Sequence, residues 1–96
     1  MPVYLIVETK EVIDNAMYGE YIQKVPKIIE KFNGEYLVRG TPIKVISGNW
    51  NPTRLIVVKF ESMKLFNAWQ NSPEYQELAL LREQSAKTNA VVLEGI

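Results

Sequence analysis

Two short runs, Val3-Tyr-Leu-Ile-Val7 and Leu55-Ile-Val-Val-Lys-Phe60, are apolar at odd and even positions alike, and they constrain the fold more than any other feature. Successive side chains of a strand point to opposite faces. Tyr4 and Ile6 therefore oppose Val3, Leu5 and Val7, while Leu55 and Val57 oppose Ile56, Val58 and Phe60. Strands of this kind need cover on both faces, whereas an antiparallel sheet with one wet face alternates apolar and polar residues.

The rest of the chain supplies cover for one face. Val3 to Thr9 reads as the first strand and Lys10 to Asp14 as a loop, with Asp14 a candidate helix N-cap. Met17, Tyr18, Tyr21, Ile22, Val25, Ile28, Ile29 and Phe32 then recur at helical spacing. Pro26 is expected to kink that helix, and Asn33-Gly34 to stop it. Tyr36 to Ser47 reads as extended, with a bulge or bend at Gly40-Thr-Pro42, and Gly48 to Pro52 as a turn into the strand Leu55–Phe60. Ser62 caps a short helix carrying Met63, Phe66 and Trp69. Ser72-Pro73-Glu74 restarts it, and the new segment runs through Tyr75, Leu78, Ala79 and Leu81 towards Lys87. Ala90 to Glu94 closes the chain as a strand.

The order βαββαβ over a single domain, residues 1–96, predicts a ferredoxin-like α+β fold. Its four-stranded antiparallel sheet carries two helices on one face, and the first and third strands are central. The chain encodes no third layer, so a second copy is expected on the other face, giving a homodimer.

Composition narrows the chemistry. Eleven basic and eleven acidic residues cancel, which opposes nucleic-acid binding. With no cysteine there is no thiolate nucleophile, and with no histidine the commonest general base and metal ligand is missing. Glu8 and Glu11 match no calcium-loop spacing, so no metal is expected, and no cofactor is called for. No segment approaches the ~20 apolar residues of a membrane span. The N-terminus has no basic region before its short apolar run, so no membrane partner and a cytoplasmic location are expected.

Arginine within a strand is costly unless paired or facing an anion, which singles out Arg39 in Glu35–Gly40. Either Arg39 takes a small carboxylate in a cavity between sheet and helices, or it pairs with Glu8 or Glu94. Arg54 either lines the mouth of the same cavity or is an exposed strand start. Trp50 is expected to cover the pocket or the partner protomer, and Trp69 to pack in the core. A tyrosine hydroxyl directed inward can orient a ligand oxygen, which makes Tyr21 and Tyr75 candidates; Tyr18 is expected to satisfy a backbone carbonyl. Arg82 shares a helix face with Tyr75, its alternative being a surface pair with Glu77 or Glu83. Asp14 is a weak candidate for a catalytic base, since capping accounts for it.

Tyr21, Pro26, Phe32-Asn-Gly34, Arg39-Gly40, Trp50-Asn-Pro-Thr-Arg54, Phe60-Glu-Ser62, Trp69, Ser72-Pro-Glu-Tyr75 and Arg82 together resemble the domain of unknown function 1330 family. The resemblance spans essentially the whole chain and implies a dimeric α+β barrel. It carries no activity. Relatives across that superfamily include cofactor-free isomerases and monooxygenases with a ligand between sheet and helices, and the shared fold makes such chemistry an analogy only. The sequence departs from the family's usual double glycines, with Asn33 before Gly34 and Thr41 after Gly40. A non-catalytic dimerisation or interaction module is the alternative.

Overall fold

The computed structural model describes residues 1–40 and 42–96. Its elements follow the chain as β1 (Val3–Val12), α1 (Asn15–Lys31), β2 (Glu35–Gly40), β3 (Arg54–Phe60), α2 (Met63–Gln70), α3 (Pro73–Ser85) and β4 (Ala86–Glu94). The sheet is antiparallel, in the order β2-β3-β1-β4, so the two runs apolar on both sides are indeed its central strands. The ferredoxin-like α+β architecture holds, with the second helical layer element broken into α2 and α3.

Local chemistry fixes the helix ends. The Asp14 carboxylate accepts a hydrogen bond from the Met17 amide at 3.0 Å and so caps α1. Asn33 takes φ +59°, with its amide bonded to the Glu30 carbonyl and the Gly34 amide to that of Ile29. That is a Schellman stop. Pro26 lies inside α1, which continues through it as one helix. Ser72 Oγ accepts from the Tyr75 amide and donates to the Trp69 carbonyl, fastening the end of α2 to the start of α3.

Several element ends differ from expectation. The second strand ends at Gly40, and residues 42–47 are irregular where extended structure was expected; the expected bend falls partly on Thr41, outside the described residues. α3 stops at Ser85, short of Lys87, and β4 begins at Ala86, ahead of Ala90. β1 runs on past Thr9 to pair Glu11 with Lys87 and Val12 with Ala86. An edge strand has one flank in water, so polar Lys87-Thr-Asn89 is as acceptable there as in a helix and carries no apolar signal.

Facing the helices are Val3, Leu5, Val7 and Thr9 of β1, in register with Phe60, Val58, Ile56 and Arg54 of β3. Val3, Val58 and Phe60 are fully enclosed, packed with Val25 and Ile29 of α1 and Leu78 of α3. Phe60, Phe66 and Trp69 meet with ring centroids 5.4–5.9 Å apart. Such aromatic pairs add about 0.5–1.5 kcal/mol each beyond area burial.

The opposite face is apolar and uncovered. Leu37 is 48 % exposed, Val38 44 %, Val91 57 % and Leu93 46 %. Half-buried Tyr4, Ile6, Leu55 and Val57 lie between them on the central strands.

Candidate functional site

A cavity of about 140 Å³ lies between the sheet and the helices. Its floor comes from β1 and β3, including Leu5, Val7, Ile56 and Val58; α1 supplies Tyr18, Tyr21, Ile22 and Val25. Phe66 and Trp69 of α2, and Tyr75 and Arg82 of α3, close it. Five of the sequence candidates, Arg39, Arg54, Tyr21, Tyr75 and Arg82, thus meet in one place from four different elements.

A bulge in β2 delivers Arg39. Tyr36 pairs with Val58 and Val38 with Val57, so Leu37 is an extra residue in the ladder. Arg39 then pairs with Ile56, which faces the helices, and its guanidinium lies 4.3 Å from the centre of the Tyr36 ring. Strict alternation would have sent Tyr36 and Arg39 to opposite faces. Arg39 is exposed at the rim of the cavity and makes no ion pair with Glu8, Glu94 or any other described residue.

Gly40 seats the second arginine. It adopts φ +107°, and a Cβ there would stand 3.0 Å from Arg54 Cγ and 3.2 Å from Cζ. A glycine at this point lets the Arg54 side chain lie along the backbone of β2. Arg82 reaches across from α3 and donates from Nη1 to Thr88 Oγ1 of β4 at 2.8 Å. Neither Glu77 nor Glu83 pairs with it.

Among the described residues, the buried side-chain polar atoms without a hydrogen-bond partner are Arg54 Nε, Arg82 Nε and Trp69 Nε1. All three are N–H donors, and all belong to residues lining the cavity. Among the described residues, no aspartate or glutamate lines it. The site therefore presents positive charge and unmatched donors on an apolar wall.

Tyrosines complete the polar lining. The hydroxyls of Tyr21 and Tyr75 are 3.0 Å apart. Burial, reinforced by Tyr75, pushes the Tyr21 phenol far above its ordinary range, against a smaller pull from Arg82. Tyr36 is pushed up to about 12, by burial first, with Arg39 and Arg54 acting in the opposite sense. Both phenols stay protonated near neutral pH, so each keeps an O–H that can donate to a ligand oxygen. Tyr18 bonds to the Thr9 side-chain hydroxyl at 2.8 Å, where a backbone carbonyl was expected.

Two candidates lie elsewhere. Trp50 is on the opposite side of the sheet, its indole donating to the Glu8 carboxylate at 3.0 Å, with Asn89 on the other oxygen. Asp14 caps α1 and does not line the cavity, so neither it nor Glu8 is placed to abstract a proton there. Sequence reasoning missed two features of the lining. Tyr36 was hidden by the bulge, and the indole N–H of Trp69 by the strength of the core reading of that residue. No metal-binding group of three or more His, Cys, Asp or Glu occurs among the described residues, and no described helix is long and apolar enough to cross a membrane.

A ferredoxin-like sheet-and-helix protein with a cationic cavity under its helices is the class defined by this geometry. Residues 2–96 match the family described as Domain of unknown function (DUF1330), and the chain belongs to that family. A protein of unknown function from Rhodopseudomonas palustris has a similar structure, with TM-score 0.79 and 13 % identity over 99 % of this chain and 82 % of that one. A dimeric ferredoxin-like protein of unknown function from Jannaschia sp. CCS1 matches at TM-score 0.78 and 15 % identity, covering 99 % and 100 %. SnoaB, a cofactor-independent oxygenase from Streptomyces nogalater, matches at TM-score 0.62 and 7 % identity, covering 99 % and 91 %. At such identities the likeness establishes the fold alone. Comparison with curated proteins found no match.

Proposed function

We propose that this protein is a homodimer that binds a small organic acid in the cavity between sheet and helices. One observation carries the reading: among the described residues the unpartnered buried donors are Arg54 Nε, Arg82 Nε and Trp69 Nε1, and no described carboxylate lines the cavity they share. Leaving a buried donor unpaired costs about 1–3 kcal/mol, which a ligand rich in acceptor oxygens offsets on binding. A carboxylate matches the guanidinium fork, and the apolar wall accommodates its carbon skeleton. Arg39, stacked on Tyr36 at the rim, draws the anion inward.

If the ligand is turned over, the cavity favours cofactor-free isomerisation or oxygenation that depends on stabilising negative charge on a substrate oxygen. Arginine and protonated tyrosine donors serve that purpose in a site shielded from water. Chemistry requiring a carboxylate base fits poorly, because Asp14 and Glu8 lie outside the cavity.

Self-association follows from the other face, where Leu37, Val38, Val91 and Leu93 are each more than two-fifths exposed. Two such sheets facing each other would form the expected barrel, with Trp50 and Glu8 between them.

A thermal-shift screen of small carboxylic acids on wild type and Arg54→Gln tests the binding claim. A ligand at a hundred times its Kd stabilises by about 2.7 kcal/mol. For a domain of this size each kcal/mol moves the midpoint roughly 4–8 °C. A shift in wild type that Arg54→Gln abolishes is expected. If no acid shifts wild type, the acid-binding reading falls and a non-catalytic self-associating module takes its place.

A further inference from the structure

The cavity's positive charges are spread over two poles. Arg39 stacks on Tyr36 and Arg54 lies against Gly40 of β2, whereas Arg82 is held by Thr88 of β4. Sheet register explains the division. Arg54 of β3 pairs with Thr9 of β1, and Thr9 with Thr88 of β4, the residue that holds Arg82. Arg54 and Thr88 thus flank Thr9 across two strand spacings, on the order of 10 Å between Cα atoms. Between the poles stand Tyr18, bonded to Thr9, and the Tyr21–Tyr75 hydroxyl pair.

Each pole keeps one arginine with a buried Nε that no described residue accepts from. Arg39 differs, being exposed and already stacked on Tyr36, so it needs no counter-charge. A monocarboxylate can meet one pole only and would leave the buried Nε of the other arginine without an acceptor. The size is also bounded, since a cavity of about 150 Å³ admits a molecule of roughly benzene's bulk.

We propose that the ligand class is a compact dicarboxylic acid, one carboxylate on Arg54 and the other on Arg82. This rests on the acid-binding reading above and narrows it. The chain between the carboxylates lies over Val7 and Ile56. Trp69 Nε1 and the proton left over from the Tyr21–Tyr75 pair are available to any oxygen on it.

Calorimetric titration of wild type with succinate, glutarate and adipate, each beside its monoamide, tests this without altering the protein. The amide keeps nearly the same size and shape and removes one charge. At least one diacid is expected to bind about tenfold or more tighter than its monoamide. Arg54→Gln and Arg82→Gln, each first checked for folding by circular dichroism, are expected to bring that diacid down to about its monoamide's affinity. Equal binding of diacid and monoamide throughout the series would overturn the two-pole assignment while leaving acid binding intact. Failure of both kinds of acid to bind would overturn the broader reading with it.

Discussion

Gly40 carries more of the site than its size suggests. Its φ of +107° strains any residue with a β-carbon, and a β-carbon only 3.0 Å from Arg54 Cγ would push that side chain aside. Gly40→Ala should lose about 1–3 kcal/mol of stability through backbone strain. It should also displace the Arg54 side chain, so a urea melt and an acid titration are both expected to register the change. A variant as stable as wild type would mean that the position tolerates an ordinary residue. The tyrosines make a separate prediction. Burial pushes the Tyr36 phenol up to about 12, from an ordinary value of 10.0. Below about pH 10 the phenol is neutral in both folded and unfolded chains, and its contribution to stability is complete. Above that pH the unfolded chain ionises first, so the contribution drains away as pH rises towards the folded value. Tyr21, raised further by burial, acts in the same direction. Urea stability followed from pH 8 to 11.5 should fall more steeply for wild type than for Tyr36→Phe; matching slopes would contradict the burial of that hydroxyl.

At the scale of elements, the bulge in β2 decides which face Arg39 serves. Because Leu37 is the extra residue, deleting it should preserve the pairs Tyr36–Val58 and Arg39–Ile56 and keep acid-induced stabilisation. Loss of that stabilisation in a folded deletion variant would show that the bulge does more than count residues. The same bulge marks where sequence reasoning stops. β1, β3, α1 and the Ser72-Pro73 break were legible because apolar periodicity and capping residues are local signals. Arg39 was legible as an oddity, a charge in a strand, and Arg82 through its helical spacing from Tyr75. Tyr36 beside Arg39 was not, since two-residue alternation cannot register an inserted residue. The start of β4 was lost for a related reason, as Lys87-Thr-Asn89 pairs by its backbone and has polar side chains. The cost of exposing an indole points Trp50 to pocket or partner; only the fold, through its bond to Glu8, puts it on the far side of the sheet.

The molecule as a whole divides its work between the two faces of one sheet. One face builds a cavity with the helices, and the other leaves Val91 57 % and Leu93 46 % exposed. Val91→Lys is therefore expected to shift the sedimentation coefficient from dimer to monomer while the far-ultraviolet spectrum persists. A wild-type chain that sediments as a monomer would contradict self-association through this face. The central claim concerns the other face, and it is tested most directly by nitrogen–proton correlation spectroscopy during titration with a dicarboxylic acid. The Nε–H signals of Arg54 and Arg82 and the indole signal of Trp69 should shift together and saturate. The indole signal of Trp50, already donated to Glu8 on the opposite face, should stay in place through its own protomer's titration. Movement of the cavity donors alone is the predicted result. Stationary Arg54, Arg82 and Trp69 signals across the titration would show that these unpartnered donors do not form an acid-binding site.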